Sequence, residues 1–195
     1  GSDLSSAETL DAGGAILAPP LVNGHTHAAM TLFRGHGDDL PLMRWLQEAI
    51  WPVEAKLEDE DVYWGSRLAC LEMIRSGTIG FWDMYWKPAA TARAVEDAGL
   101  RAVIGPPLFD PPDKPLEERN RELEAHLDEL EDFGDRIGIA VAPHSIYTVG
   151  TASLEYAVGL ACRSTSIFRK PRVRWSIASK RMVCGRPPTS TVSGC

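Results

Sequence analysis

Residues 15–27 read Ala-Ile-Leu-Ala-Pro-Pro-Leu-Val-Asn-Gly-His-Thr-His, and this stretch is the starting point for both fold and function. The apolar run at residues 15–22 ends at Asn23-Gly24, which favours a turn, so the pattern predicts a short buried strand. His25 and His27 follow directly. Residues two apart in an extended chain point to the same side, and imidazole is a common ligand of zinc and iron. The spacing predicts a metal site at the end of the strand; two polar loop histidines are the alternative interpretation.

Strand and helix patterns alternate through the rest of the chain. Acidic residues mark the first turn of one predicted helix, and Gly77 marks its end. Pro88 and Gly99 mark the start and the end of another. Pro52 is expected to kink or split the first helix. The predicted segments are strands 78–83, 101–105 and 137–142 and helices 41–56, 59–76, 88–99, 116–132 and 152–160, with a proline-rich loop at 106–115. This alternation predicts an α/β fold with a parallel sheet, either a barrel or a doubly wound sheet.

Charge is distributed unevenly along the 195 residues, whose net charge is −7. The first 155 residues hold all 27 acidic and 12 basic side chains, a balance of −15, whereas the last 40 hold eight basic and no acidic ones. A basic tail that binds nucleic acid or an acidic membrane surface is one interpretation. The other is that the two segments were not selected as one protein.

No run of 18 apolar residues occurs, and the amino-terminal residues lack the pattern of a signal peptide. The four cysteines show neither metal-binding spacing nor the density of a disulfide scaffold. We therefore expect a cytoplasmic protein that does not associate with membranes.

Four separate motifs resemble one enzyme family. They are the stretches 21–46 (beginning Leu-Val-Asn-Gly-His-Thr-His), 50–54 (Ile-Trp-Pro-Val-Glu), 68–78 (Leu-Ala-Cys-Leu-Glu-Met-Ile-Arg-Ser-Gly-Thr) and 142–149 (Ala-Pro-His-Ser-Ile-Tyr-Thr-Val). In order and spacing they resemble the amidohydrolase superfamily, specifically its methylthioadenosine/S-adenosylhomocysteine deaminase and chlorohydrolase-like branch. The resemblance covers about residues 12–160. It implies the first half of a (β/α)8 TIM-type barrel at residues 21–160, preceded at 1–20 by a remnant of an N-terminal β-sandwich.

The resemblance also implies a metal site and a substrate site. His25 and His27 match ligands of one divalent metal, zinc or iron, which activates water to attack a carbon of an aromatic ring and displace ammonia or chloride. Trp45, Glu54 and His144 match positions that meet the nucleoside, Glu54 being suited to the ribose hydroxyls. Taken singly, these three are better explained as a core tryptophan, a solvated carboxylate and a structural histidine; within the motif, the functional interpretation is preferred.

Other polar residues are assigned lesser roles. Asp83 is expected to be structural, although its place at a strand end suits catalysis. Lys114 is a weak candidate for binding a substrate carboxylate. Asp38 and Asp39 are expected in a loop near the pocket, and His36 and His126 on the surface.

The remaining family residues are missing from this sequence. A third histidine followed by a proton-shuttling glutamate, a later histidine and an aspartate are expected, yet no histidine follows His144 and no carboxylate follows Glu155. The possible codons of residues 165–186 can also be read in a frame shifted by one base. With permitted third bases, this shifted frame can encode the expected histidine and glutamate. Our hypothesis is that a frameshift near residues 159–164 left residues 161–195 as an out-of-frame, disordered tail. The chain itself is then expected to be inactive.

Two further hypotheses remain open for function. Within the enzyme class, the alternative is a chlorohydrolase or a guanine-type deaminase acting on a free heterocycle. From another class, the alternative is a non-catalytic protein whose basic tail binds nucleic acid, with Phe168 and Trp175 for stacking; the acidic body opposes it. The preferred hypothesis expects a small-molecule substrate, no nucleic-acid partner, and leaves homo-oligomerisation open.

Overall fold

The computed structural model describes residues 11–146 and 148–163, and the side chains through residue 160. The predicted disordered tail lies almost wholly outside these residues, as does half of the predicted β-sandwich remnant.

In the described residues, six strands form two parallel sheets. They are β1 (Leu21–Thr26), β2 (Thr78–Asp83), β3 (Arg101–Ile104), β4 (Pro107–Leu108), β5 (Ile137–Ile139) and β6 (Ala142–Pro143). The larger sheet has the order β1-β2-β3-β5, and β4 pairs with β6. Every pairing is parallel. The strand order follows the chain order, as in successive units of a barrel.

A helical segment follows each main strand. These segments are a 3₁₀ helix (Ala28–Phe33), α1 (Leu42–Arg44), a π-helix (Trp45–Ile50), α2 (Trp51–Glu54), α3 (Asp59–Arg75), α4 (Pro88–Ala98), α5 (Leu116–Glu131) and α6 (Thr151–Arg163). A capping box begins α3, in which the Glu58 amide donates to the Asp61 carboxylate at 2.9 Å. Glycines at positive φ, Gly77 and Gly99, follow α3 and α4. The described residues thus build four strand–helix units, half of the number in a complete barrel.

The first strand does not lie where the sequence predicted it. Residues 15–20 form no strand, and the side chains of Ile16 and Leu17 are 94% and 98% exposed. Pro19 and Pro20 have no amide hydrogen to donate to a neighbouring strand. Pairing therefore begins at Leu21, whose amide donates to the Gly77 carbonyl at 3.0 Å. The prediction of a buried strand at residues 15–22 is wrong.

Pro52 does not split the helix in two, and the kink expected at this proline stays a prediction. The helical path from Leu42 to Glu54 continues through Pro52, but residues Trp45–Ile50 adopt a π-helix. A proline ring clashes with the carbonyl four residues earlier, and a wider turn relieves this clash.

The segment after β3 differs from the predicted loop. Pro107–Leu108 forms β4, and the predicted strand at residues 137–142 is divided into β5 and β6. Gly105 lies at this break, where an added Cβ would be 2.6 Å from the Ala142 Cβ. The two strands approach too closely there for a side chain, so the ladder is interrupted and then resumes.

The main core lies between the sheet and helices α3 to α5. It includes Cys70, Phe81, Val95, Ile104 and Leu130. Cys70 is the one cysteine whose side chain the structure describes; it is free, and burial raises the pKa of its thiol to about 11. This thiol has the character of a packing group.

Apolar side chains are exposed along α3 and β1. Trp64, Leu68 and Leu71 lie at helical spacing and are 56%, 39% and 52% exposed, and Leu21 and Val22 of β1 are also exposed. In a complete barrel further strand–helix units would cover such surface, and we expect the isolated chain to be poorly soluble. Across residues 11–146 and 148–163, the helices are too short or too polar to cross a membrane.

Candidate metal and substrate site

The predicted site residues follow the carboxyl ends of several parallel strands. His25 is the last but one residue of β1 and His27 follows that strand, Asp83 ends β2, and His144 follows β6 of the smaller sheet. Because β1 and β2 are parallel neighbours, their carboxyl ends lie at one edge of the larger sheet. This is the edge at which barrel enzymes build their active sites.

His25 and His27 lie side by side at this edge. Their ring centroids are 5.1 Å apart and the rings are nearly perpendicular. His25 is exposed and His27 is half-buried. Bonds of about 2.0 Å from two imidazoles to one tetrahedral ion place ring centroids roughly 5 Å apart. The observed separation therefore fits two ligands of one metal.

A backbone carbonyl orients the His27 ring. The Nδ1 atom of His27 lies 2.6 Å from the Met84 carbonyl oxygen. A carbonyl oxygen only accepts, so Nδ1 carries the hydrogen and Nε2 of the neutral ring keeps a lone pair. Metal-binding histidines characteristically have this second hydrogen bond.

Asp83 is fully buried next to the two histidines. Its Oδ1 atom accepts from the Thr26 hydroxyl at 2.8 Å and from the Ala28 amide at 2.7 Å. Its Oδ2 atom is buried and has no hydrogen-bond partner among the described residues. Burial raises the pKa of Asp83 to about 6, while the bonds from Ala28 and Thr26 and the charge on His27 act in the opposite direction. The Asp83 carboxyl group is therefore hydrogen-bonded to the two residues on either side of His27.

Glu54 is hydrogen-bonded to a tyrosine that lies at the same edge of the sheet. The buried Tyr85 hydroxyl donates to Glu54 Oε1 at 2.7 Å. The Tyr85 ring centroid is 6.4 Å from that of His27. Burial and the Glu54 carboxylate raise the pKa of Tyr85 far above its usual value, so its hydroxyl stays a donor. Tyr85 therefore connects the predicted sugar-binding carboxylate to the neighbourhood of the predicted metal ligands.

His144 lies close enough to His27 and Glu54 for their charges to affect its pKa. Its pKa is lowered by burial and by the charge on His27, while Glu54 acts to raise it. Its Nδ1 atom is 2.8 Å from the Thr148 hydroxyl, and its ring meets the Phe109 ring edge-on with centroids 5.7 Å apart. The structure thus brings His144 towards His27 and Glu54.

Trp45 lies in a different environment. Its indole Nε1 donates to the His36 carbonyl at 2.9 Å. The ring lines an open groove of about 400 Å³ together with Met30, Phe33, Asp38 and Asp39. The lining of this groove does not include His27, Glu54 or His144. Asp38 and Asp39 therefore border the groove that contains Trp45, and this groove is separate from the histidine pair.

The remaining candidates are placed away from the site. Lys114 is paired with Glu122, its Nζ atom 2.6 Å from the carboxylate, so its charge is already compensated. His36 is exposed, and His126 lies 3.4 Å from Glu129 on α5.

The donor set is consistent with only part of a metal site. Among the described residues, no group of three or more histidine, cysteine, aspartate or glutamate side chains lies close enough together to hold an ion. Two imidazoles provide two of the three or four protein ligands that zinc normally takes. The residues present fit a divalent metal as two of its ligands.

Sequence reasoning missed two residues of this arrangement, Tyr85 and the backbone of Met84. Both follow Asp83 directly at the end of β2. Their position just after a parallel strand could have indicated a role in the site, because such residues line the edge of the sheet where barrel active sites lie.

Comparisons with known proteins agree with the fold. The amidohydrolase family profile matches residues 16–164. The chain is 48% identical over 165 residues to the 5-methylthioadenosine/S-adenosylhomocysteine deaminase of Syntrophobacter fumaroxidans, covering 83% of this chain and 37% of that protein. It is 47% identical over 154 residues to the 5'-deoxyadenosine deaminase of Methanospirillum hungatei, covering 75% and 33%.

A solved structure shows the same fold. The adenosine deaminase of Xanthomonas campestris with bound zinc matches with a TM-score of 0.67 and 40% identity, covering 74% of this chain and 34% of that one. The predicted fold class, a partial TIM-type barrel, is confirmed. This chain spans about a third of the length of these relatives. The matched family profile and the parallel strand–helix units together show that the chain belongs to the amidohydrolase family.

Proposed function

We propose that this chain supplies the first part of the active site of a metal-dependent aminohydrolase that deaminates an adenosine-type nucleoside. The observation that carries the proposal is the pair His25 and His27 beside the Tyr85–Glu54 hydrogen bond. The names of the two matched relatives, deaminases of methylthioadenosine, S-adenosylhomocysteine and 5'-deoxyadenosine, support the substrate class.

Each residue has a role in this proposal. A divalent metal, zinc or iron, held by His25 and His27, would supply the acidity that makes water a nucleophile at neutral pH. Glu54, held at Oε1 by Tyr85, accepts hydrogen bonds from the ribose hydroxyls. His144 meets the base, its lowered pKa favouring the neutral ring. Trp45 is assigned to the nucleoside site by its match to the family motif alone, since the lining of its groove does not include Glu54 or His144.

Zinc binding by the histidine pair tests the proposal. Titration of the 195-residue chain with zinc, followed by the NMR signals of the histidine rings, is expected to shift His25 and His27 together. The variant His27→Ala should abolish saturable binding, because a single imidazole remains. The matched control His126→Ala removes a histidine from α5 and should bind as the parent does. Unchanged binding in His27→Ala would contradict the proposed metal site.

Activity is expected only from a longer chain. The 195-residue protein with zinc should not deaminate adenosine or 5'-deoxyadenosine, because the proton-shuttling glutamate and the later ligands are missing from it. Turnover by the purified chain, measured as ammonia release, would show that the described residues suffice and would overturn this part of the proposal.

The proposal includes a reading-frame change near residues 159–164, with residues 161–195 out of frame, residues 21–160 as barrel and residues 1–20 as the sandwich remnant. The end of the family match at residue 164 and the absence of acidic residues after Glu155 support it. Sequencing of the coding DNA across codons 150–195 and beyond is expected to find an open shifted frame. Stop codons soon after the shift would contradict it, and would favour the non-catalytic alternative.

The restored protein provides the substrate test. In it, Glu54→Gln should raise KM for 5'-deoxyadenosine with less effect on kcat, because the carboxylate contacts the sugar rather than the reacting carbon. Glu117→Gln on the exposed face of α5 is the control. An unchanged KM in Glu54→Gln would favour the guanine-type or chlorohydrolase alternative, whose substrates have no ribose.

A further inference from the structure

Asp83 is the most unusual polar group at this edge of the sheet. It is 0% exposed, it lies at the end of a strand, and one of its two oxygens has no hydrogen-bond partner among the described residues. Burying a carboxyl group so incompletely satisfied costs stability. Such a residue is expected to provide something other than stability in return.

The partners of Asp83 lie on either side of His27. The Thr26 hydroxyl and the Ala28 amide both donate to the same oxygen, Oδ1. The Thr26 hydroxyl also lies 2.9 Å from the Trp82 carbonyl oxygen. One atom of β2 therefore holds both chain neighbours of a predicted ligand that is 56 residues away in sequence.

The residue after Asp83 holds the same segment. The Met84 amide donates to the Thr26 carbonyl at 3.2 Å, and the Met84 carbonyl accepts from the His27 ring. His27 is thereby constrained from its backbone on both sides and from its own ring. By contrast, His25 is exposed, and its backbone amide donates to Asn23 Oδ1, two residues earlier, at 3.2 Å.

We propose that Asp83 is a positioning residue that holds the His25-Thr26-His27 segment in the geometry that binds the metal, acting through Thr26 and Ala28 rather than as a ligand. This inference rests on the proposed metal site. It assigns a function to the Oδ1 hydrogen bonds, and it predicts that the acceptor atom matters more than the negative charge. Removal of groups that orient metal ligands typically lowers metal affinity by about 10- to 100-fold.

The test compares zinc affinity in variants of the 195-residue chain. Asp83→Ala removes the acceptor and should weaken zinc binding by at least about tenfold. Asp83→Asn keeps an oxygen at the Oδ1 position and should restore affinity to within about threefold of the parent, as expected for a retained hydrogen bond. Thr26→Val removes one donor, leaves Asp83 in place and should have an intermediate effect, which keeps the test available if Asp83→Ala does not fold.

A structural control separates positioning from general stability. Ser66→Ala removes the buried hydrogen bond between Ser66 and Thr91, on the helices α3 and α4. It should lower the unfolding temperature without changing zinc affinity or the histidine ring signals. All affinities are measured well below the unfolding transition of each variant, so that only folded protein is compared.

The outcomes distinguish the two levels of the proposal. If His27→Ala does not affect zinc binding, the proposed metal site itself is wrong. If His27→Ala abolishes binding but Asp83→Ala binds zinc as the parent does, the positioning role is wrong and the metal site stands. Equal losses in Asp83→Ala and Asp83→Asn would also overturn the inference, because they would show that the charge and not the acceptor is required.

Discussion

Replacing Gly65 by valine is expected to destabilise the described fold by about 3 kcal/mol or more, as overpacking against a rigid neighbour does at the upper end of its range. Gly65 lies in α3 where this helix crosses the 3₁₀ helix. A Cβ atom at Gly65 would lie 2.6 Å from the Ala29 carbonyl oxygen and 3.0 Å from both Ala29 Cα and Leu32 Cγ. Ala29 is fully buried, so its backbone has no free space into which to move.

The same contact is also held by a hydrogen bond. The Thr31 hydroxyl donates to the Gly65 carbonyl at 2.7 Å. A displaced α3 would therefore lose this bond and also shift the 3₁₀ helix, which begins directly after His27. Glycine is a poor helix former, worse than alanine by about 1 kcal/mol. Its presence in the middle of α3 is explained by this crossing.

Urea unfolding measures the effect. The control Leu68→Val introduces the same β-branched residue at an exposed position of the same helix, and should cost less than about 1 kcal/mol. If Gly65→Val were as stable as Leu68→Val, the two helices would not be packed as closely as the structure places them.

Removing the Asp110 carboxylate is expected to cost about 3 kcal/mol, because it leaves a largely buried arginine without its partner. Asp110 follows β4 and forms an ion pair with Arg119 of α5, whose side chain is 14% exposed. It also accepts from the Gly150 amide at 2.6 Å and from the Ser153 hydroxyl at 2.7 Å. One carboxylate therefore joins β4, α5 and the start of α6.

The pH dependence follows from the same contacts. Burial alone would raise the pKa of Asp110, but the bonds from Gly150, Ser153 and Arg119 outweigh it, and the pKa is lowered. A carboxylate with a lowered pKa in the folded state stabilises the fold above its unfolded pKa of about 4, and this contribution is lost as the pH falls through the folded value. The difference in stability between the parent and Asp110→Ala should accordingly shrink below about pH 4.

Urea unfolding at pH 7 and at pH 3 measures both effects. Asp128→Ala removes an exposed carboxylate from α5 and should change the stability by no more than about 0.5 kcal/mol. The double variant Asp110→Leu with Arg119→Met should be more stable than Asp110→Ala, because no charge is then left unpaired. Equal stability of Asp110→Ala and Asp128→Ala at pH 7 would contradict the buried network.

Local patterns predicted most elements of the fold. Strand 78–83 and the helices from residues 59, 88 and 116 were placed correctly, because capping residues, glycines and apolar periodicity lie within the segments they define. The first strand was misplaced, because apolarity alone does not show which amides find a partner. That partner is Gly77, which lies more than 50 residues further along the chain.

The sequence by itself determined which chemistry is available: two imidazoles two residues apart at a strand end, a carboxylate at Glu54 and a histidine at His144. Only the tertiary structure decided how these groups are held. The His27 ring is oriented by Met84, its segment by Asp83 and Glu54 by Tyr85. Asp83 ends β2 and the other two residues follow it, and parallel pairing of β1 with β2 brings all three beside the histidine segment. Such contacts join residues 31 to 57 positions apart, a distance over which local sequence patterns carry no information.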